Sequence, residues 1–293
     1  MQTTRHLTRT YQTIASFALA TLAGASALQA AEETGWKAQA IAPVVNPIYF
    51  ESPLIQSEVR PIFIYDNLDK GSLGGHAQVY AAQIRYAVTE KLAIIATKDG
   101  YIDLKPNAIG HSHGWADLAA GVKYALIDDQ EKQLTVTPGL KLEIPTGNEA
   151  VFQGKGKGEW DVFVSAAKGF GAFQLMASVG SRIPNDFSAN TAQLHSSVQA
   201  SYFTCKYFIP FAAMNTYTTL NSASGPGLNY EGADLINLGS SGGANGYTQV
   251  VMGFGFRSRI LDNLDLGFGY EKGVTNPKGL IDDRYTVDAI FRF

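Results

Sequence analysis

The sequence predicts an all-β fold, a transmembrane antiparallel up-and-down β-barrel of about 12 strands. Three observations predict it: an alternating pattern in the last residues, the recurrence of that pattern along residues 57–293, and a secretory signal at the start of the chain. Side chains of a strand alternate between two faces, so apolar residues at every second position suit a wall with lipid on one side.

The last nine residues form the clearest strand. One predicted face is apolar and holds Tyr285, Val287, Ala289, Phe291 and Phe293, and the other holds Thr286, Asp288, Ile290 and Arg292. The aromatic ending resembles the signal by which outer-membrane barrels are delivered for assembly. This resemblance implies the barrel assembly machinery as a partner, through the strand that ends at Phe293.

Composition narrows the class further. Charged residues make up 17%, with Gly 30, Tyr 14 and Phe 16, as in glycine-punctuated strands with aromatic rings at the membrane interfaces. After the signal, no apolar run approaches the roughly 20 residues of a spanning helix. The net charge of -3 indicates no nucleic-acid partner. Cys205 is the only cysteine, which excludes an intramolecular disulfide, and no motif calls for a cofactor.

The start of the chain predicts export. Basic residues precede the apolar, small-residue run 14–28, so residues 1–30 are expected to be a signal peptide. Cleavage after Ala27 and cleavage after Ala30 both fit, and a membrane anchor would need a longer apolar run. Export and a barrel together predict location in the bacterial outer membrane, with outer-membrane lipids and lipopolysaccharide as partners.

Alternation predicts the strands 57–67, 77–88, 92–104, 115–127, 134–147, 159–169, 172–185, 196–207, 209–220, 247–260, 264–276 and 284–293. Short and long connections alternate between them. Barrels of this kind place short turns in the periplasm, so the long connections, including 187–195 and 221–246, are expected to face outward.

The predicted inner faces carry charge. The lumen or constriction residues are Arg85, Asp117, Lys123, Lys141, Glu143, Asp161, Arg182, Arg257, Glu271, Asp288 and Arg292. Buried charges need water or one another, which a barrel interior supplies and a soluble β-sandwich does not. A charged ladder from Asp117, Lys123, Lys141 and Glu143 would select solutes, or would simply fill a narrow barrel.

Some positions break the pattern. Strands one, three and nine alternate less well, since Ile62, Ile64 and Ile95 would point inward. Trp115 has a parity that directs it to the lumen or the rim.

Residues 31–56 precede the barrel, predicted as 57–293. Three prolines make this segment unsuited to a membrane strand. It is expected to lie inside the barrel as a plug, with Ile48, Tyr49 and Phe50 as apolar contacts for a hydrophobic ligand, or to be a periplasmic tail or a first irregular strand.

Two stretches carry a family resemblance, residues 114–126 and residues 138–148. They resemble the core of the outer-membrane transporters named for the meta-pathway of phenol degradation, although Ala116 replaces an expected glycine. The resemblance implies passive uptake of small hydrophobic or aromatic compounds, without catalytic residues.

The histidines of the sequence bear on two other functions, metal binding and catalysis. His76, His111, His113 and His195 fall in predicted outer loops, and His111 and His113 offer two metal ligands without a third at a diagnostic spacing. The run His111-Ser112-His113-Gly114 departs from the pattern of outer-membrane lipases, so no enzyme is predicted. A structural or adhesive barrel without transport remains the alternative.

Overall fold

The computed structural model describes residues 35–293, so the predicted signal peptide lies outside the described residues. Two short 3-10 helices occur, at Gly35–Gln39 and Glu149–Val151, and no helix in residues 35–293 is long and apolar enough to cross a bilayer. The strands are β1 Glu58–Leu68, β2 His76–Ala87, β3 Leu92–Lys98, β4 Tyr101–Lys105, β5 Ser112–Trp115, β6 Leu118–Tyr124, β7 Ile127–Asp129, β8 Leu134–Ile144, β9 Glu159–Phe170, β10 Phe173–Pro184, β11 Ala192–Tyr202, β12 Ile209–Asn221, β13 Thr248–Leu261, β14 Leu264–Gly273 and β15 Ile281–Arg292.

These strands form one closed antiparallel sheet. β1 pairs with both β2 and β15, which closes the barrel and leaves no free edge between the first and last strands. β3 with β4 and β5 with β6 each share one position in the wall, and β7 extends the hairpin to β8, so residues 35–293 form a 12-stranded barrel. The predicted fold class and strand number are confirmed.

Two adjacent wall positions are interrupted. Between β3 and β4 the chain bends at Gly100, whose φ of 111° is accessible to glycine. Between β5 and β6 both Ala116 and Asp117 are buried, which shifts the alternation by one residue. Trp115 is therefore 59% exposed on the outer surface, and the expectation that it faces the lumen is wrong.

The two faces of the wall differ as alternation predicts. Val122 and Phe254 face outward and are 46% and 59% exposed. Lys123 and Arg257 lie on the opposite faces of the same two strands and are buried. Aromatic rings line the outer surface in contacting pairs, including Tyr270 with Tyr285, whose ring centroids are 5.2 Å apart. An apolar exterior with aromatic rings is that of a membrane-spanning barrel.

Residues 35–56, called the inner segment below, fill part of the barrel. Almost every residue from 40 to 54 is buried, and the segment reverses direction at a turn in which the Phe50 N–H donates to the Asn46 carbonyl at 3.0 Å. The wall makes room for it with glycines. A Cβ on Gly269 would lie 2.9 Å from Val45 Cγ1, closer than neighbouring atoms tolerate.

Residues 222–247, called the inserted loop below, connect β12 to β13. The expectation that this connection faces outward is wrong for its central part, because residues 230–240 are all buried. Leu235, Ile236 and Leu238 pack in one apolar cluster with Ile48 and Tyr49 of the inner segment. The inner segment and the inserted loop therefore meet inside the barrel.

The same packing explains the irregular strands. Ile62 and Ile64 do point inward, where they join the cluster around Ile48, and Ile95 packs with Phe163. Inward apolar residues are unfavourable in a water-filled lumen but stable against a segment of protein.

Candidate functional site in the barrel lumen

The predicted lumen residues all lie on the inner side of the wall. Nine of them are buried, while Glu143 and Arg292 are partly exposed. They do not form the charged ladder considered from sequence. Asp117 accepts the Gly147 and Gly154 N–H groups at 2.8 Å each, and Glu143 pairs with Lys98. The charges instead form separate clusters, several of which hold the inner segment.

The first cluster is centred on Glu51, a residue of the inner segment, and is called the Glu51 anchor. Arg85 donates from Nε to Glu51 Oε1 at 2.8 Å and from Nη2 to Oε2 at 2.6 Å. Lys123 Nζ lies 2.7 Å from Glu51 Oε1, and Arg85 Nη1 also reaches Glu58 Oε1 at 3.0 Å. This bidentate, charge-assisted geometry is among the strongest that side chains make.

Electrostatics favour the ionised form of Glu51. Burial alone would raise the pKa of this carboxyl, but the charges of Arg85 and Lys123 outweigh burial and hold the pKa well below its ordinary value. The carboxylate therefore keeps its charge, and the anchor stays intact, well into the acidic range.

A second cluster binds backbone carbonyls of the inner segment. Asp288 accepts Arg257 Nη1 at 2.8 Å and Arg60 Nε at 2.7 Å. The two guanidinium groups then donate to the inner segment, Arg60 to the Pro43 carbonyl at 2.6 Å and Arg257 to the Ala42 carbonyl at 3.2 Å. A carboxylate on the wall thus orients two cations toward a chain that lacks regular secondary structure.

The third cluster surrounds Tyr49 at the turn of the inner segment. Its wall residues Lys141, Phe163, Arg182 and His195 are called the Tyr49 slot. The Tyr49 ring stacks on His195 with centroids 4.3 Å apart and planes at 21°, and Arg182 Nη1 donates to Tyr49 Oη at 2.9 Å. Burial raises the pKa of the Tyr49 phenol well above its ordinary value, so the hydroxyl remains protonated.

His195 was expected in an outer loop, and this expectation is wrong. The residue belongs to β11, is 1% exposed, and has Nε2 2.9 Å from Asp161 Oδ1. Asp161 also pairs with Lys141 at 2.7 Å. The polar residues before β11 suggested a longer loop, but the strand begins at Ala192.

The inserted loop is held by its own ion pairs. Asp234 accepts both of its hydrogen bonds from Arg284 Nη1, at 2.8 and 3.0 Å, and Asp66 accepts from Arg284 Nη2 at 3.0 Å. Asn237 donates to Glu159 Oε1 at 3.0 Å. The Asp234 and Asn237 contacts join the inserted loop to the wall, as the Glu51 anchor joins the inner segment to the wall.

Little internal space remains between these elements. One cavity of about 10 Å³ lies beside Tyr49, Lys141 and Arg182, and another of about 20 Å³ has a mainly apolar lining that includes Ile48, Ile62 and Leu235. Each is large enough for about one water molecule. Neither cavity holds an aromatic ring in this conformation.

Sequence reasoning missed several residues of these clusters. Arg60 and Asp66 share a face of β1 with Glu58, and Glu159 shares a face of β9 with Asp161, so parity alone would have found them. Arg284 shares a face of β15 with Asp288, so the same parity argument would have predicted it as an inward residue. No local pattern marks Glu51, because its role depends on where the inner segment lies.

The other predicted loop histidines form no such cluster, and two of them lie in strands, because His76 begins β2 and His113 belongs to β5. The expectation of a loop position is wrong for these two. His111 is exposed and has Nε2 2.6 Å from Asp103 Oδ1, and its ring centroid is 6.1 Å from that of His113. Within residues 35–293, no group of three or more histidine, cysteine, aspartate or glutamate side chains is arranged to hold a metal ion.

Comparison with known proteins supports the fold. No protein-family model and no curated protein matches the sequence. Among solved structures, the COG4313 outer membrane channel from Pseudomonas putida F1 aligns with a TM-score of 0.56 at 13% identity, covering 87% of this chain and 100% of that chain. The NanC porin aligns with a TM-score of 0.51 at 12% identity, covering 81% and 100% respectively. At these identities the likeness shows a shared barrel fold.

Proposed function

We propose that the chain is a bacterial outer-membrane channel for passive uptake of small hydrophobic or aromatic compounds, and that the inner segment is its plug. The observation that carries this proposal is the occupied lumen. Segments of the same chain fill a closed barrel. Hydrogen bonds and ion pairs, and no covalent cross-link, hold the described residues of these segments against the wall. Such contacts can be broken and remade, as a gate requires.

The lining of the route supports the solute class. The larger cavity is bordered mainly by apolar residues from the wall, the inner segment and the inserted loop, among them Ile48, Ile62, Ile64 and Leu235. Apolar linings favour apolar solutes over sugars or ions. The resemblance of residues 114–126 and 138–148 to the phenol-pathway transporters points to the same class.

The remaining partners follow from the location. The channel would reach the outer membrane through its signal peptide and through delivery of β15 and Phe293 to the barrel assembly machinery. Loop lysines, such as the partly exposed Lys155 and the exposed Lys157, would lie near lipopolysaccharide phosphates, which attract cations.

The test is uptake by liposomes that contain the purified barrel, with and without residues 32–56. Phenol-like, fatty and sugar solutes are compared in parallel. We expect the shortened barrel to pass phenol-like and fatty solutes faster than the full chain and to pass sugars poorly. If neither form raises the uptake of any solute above that of protein-free liposomes and no current appears, the channel proposal fails.

A structural or adhesive barrel is the second candidate. The occupied lumen is also what a barrel without transport would show, because filling stabilises a narrow barrel. Absence of flux from both forms in the liposome experiment would favour this candidate.

A further inference from the structure

The Tyr49 ring lies in its slot as a bound aromatic ligand would. One ring face stacks on His195 at 4.3 Å, and the Lys141 ammonium and the Arg182 guanidinium lie 5.3 and 5.8 Å from the ring centroid. Both cation distances are within the range of attractive cation–π contact. The hydroxyl accepts a hydrogen bond from Arg182 at 2.9 Å. The ring and the oxygen of a phenol are therefore both recognised.

The wall has space for the His195 and Phe163 side chains of the slot because one position between them lacks a side chain. Gly180 on β10 pairs with Phe163 on β9 and with His195 on β11. A Cβ at Gly180 would lie 2.5 Å from His195 Cε1 and 2.8 Å from Phe163 Cβ, so any larger residue would displace both rings. The slot thus belongs to the wall, and the inner segment only supplies its occupant.

The slot also retains unused hydrogen-bonding capacity. Arg182 Nη2 and His195 Nδ1 are buried and have no hydrogen-bond partner among the described residues. Buried polar atoms are usually paired, so these two atoms of the slot residues are a departure that a bound water would satisfy.

The charges in the slot select a neutral ligand. Lys141 is paired with Asp161 at 2.7 Å, and Arg182 is paired with Glu159 at 2.9 Å, so two positive charges face two negative ones. An added anion such as benzoate would carry an uncompensated charge into a buried site, which is costly. A neutral phenol would not.

We propose that the Tyr49 slot is a binding site for small neutral phenols, and that Tyr49 is the internal occupant that such a ligand displaces to open the channel. This inference rests on the proposed function and specifies its ligand and its gating. The cavity beside Tyr49 measures about 10 Å³, far less than the roughly 150 Å³ of an apolar cavity that binds benzene. A phenol therefore enters the slot only when Tyr49 leaves, and Ile48, the adjacent residue, moves with it.

The first experiment measures binding to the purified, folded Tyr49→Ala barrel by calorimetry, with phenol, benzene and benzoate as probes. We expect phenol to bind about fivefold more tightly than benzene, as one recovered hydrogen bond implies, and benzoate to bind most weakly. Phe50→Ala is the matched control, because Phe50 lies on the same segment but packs against Trp36, Leu54 and Met176 away from the slot. The space left by the Phe50 side chain should bind phenol and benzene with equal affinity.

The second experiment does not depend on emptying the slot. In a Cys205→Ser background, Ile48→Cys reports by its maleimide labelling rate whether the turn of the inner segment is exposed. Phenol should accelerate labelling, and less phenol should suffice when Tyr49→Phe removes the competing hydroxyl. Benzoate should have no effect.

The outcomes separate this inference from the channel proposal. Equal binding of phenol and benzene to Tyr49→Ala, the same preference in Phe50→Ala, or labelling that ignores phenol would each overturn the slot, even if solutes cross liposomes. Selective phenol binding without flux would support the slot as a phenol site and overturn its role in opening the channel.

Discussion

Tyr49 of the inner segment stacks on His195 of the barrel wall at 4.3 Å, across 146 positions of sequence that neither local pattern nor periodicity connects. This pair shows how the wall holds the inner segment. Wall residues from distant strands converge on a short irregular segment, so substitutions at the contacts should change opening while the barrel itself persists.

Glu51→Gln should loosen the inner segment. The change removes one partner of a buried ion cluster, which leaves Lys123 without its carboxylate and Arg85 with Glu58 alone, a loss of about 3–5 kcal/mol for buried pairs. We expect more frequent openings in planar-bilayer current recordings. Glu90→Gln makes the same chemical change at an exposed turn and should leave the recordings unchanged. Equal effects of both substitutions would contradict the anchor.

The same residue predicts the response to acid. Because the folded pKa of Glu51 is lowered, its contribution is present above the ordinary pKa of 4.5 and is lost only as pH falls through the lowered value. The difference in open probability between the wild type and Glu51→Gln should therefore persist at pH 4.5 and shrink only at lower pH. A difference that halves at 4.5 would show that Glu51 titrates as a free carboxyl.

Gly269→Ala should also favour opening. The new Cβ would lie 2.9 Å from Val45 Cγ1, and such overpacking costs about 1–3 kcal/mol. Val45→Ala in the same chain should restore the closed state, because the two sites are in contact and their effects are not additive. Gly110→Ala adds its methyl group to open space and serves as the control. Failure of Val45→Ala to rescue would place the effect elsewhere.

Outward positions should govern insertion. Val122→Arg and Phe254→Arg direct charge into hydrocarbon, which costs about 2–4 kcal/mol near the midplane. Leu126→Arg, beyond the end of β6, should cost about 0–1 kcal/mol because it lies nearer the interface. Reversible folding into bilayers measures all three. Equal losses at all three positions would contradict the assigned depths.

The final strand should be needed for assembly. β15 closes the barrel by pairing with β1 and β14, and Phe291 lies opposite both Val59 and Leu264. Removing residues 291–293 should reduce the yield of heat-modifiable barrel inserted by the assembly machinery. Normal yield would refute the role assigned to the Phe293 ending.

The sequence was sufficient to predict the strands of the wall, but not the packing of the segments inside the lumen. Strand positions and facing follow from period two, which is local, and Lys123 and Val122 illustrate that it works. The packing of Ile62 against Ile48 is not local. The sequence therefore showed inward isoleucines only as breaks in the alternation of a strand, although they are contacts of the inner segment. The inserted loop was likewise expected to face outward because it is a long connection, and nothing in the sequence marks Arg284 as the partner of Asp234.

The most direct test of the central claim is to tether the inner segment to the wall. The Asn46 and Ser197 side chains are hydrogen bonded at 2.9 Å, so cysteines at both positions in a Cys205→Ser chain can be joined by a short thiol-reactive cross-linker that a reductant cleaves. Liposome uptake of phenol is then measured in the cross-linked and the reduced protein, with protein-free liposomes as the baseline. We expect uptake above that of protein-free liposomes after reduction, and none above that baseline while the tether is intact. Equal uptake in both states would contradict an inner segment that gates the barrel.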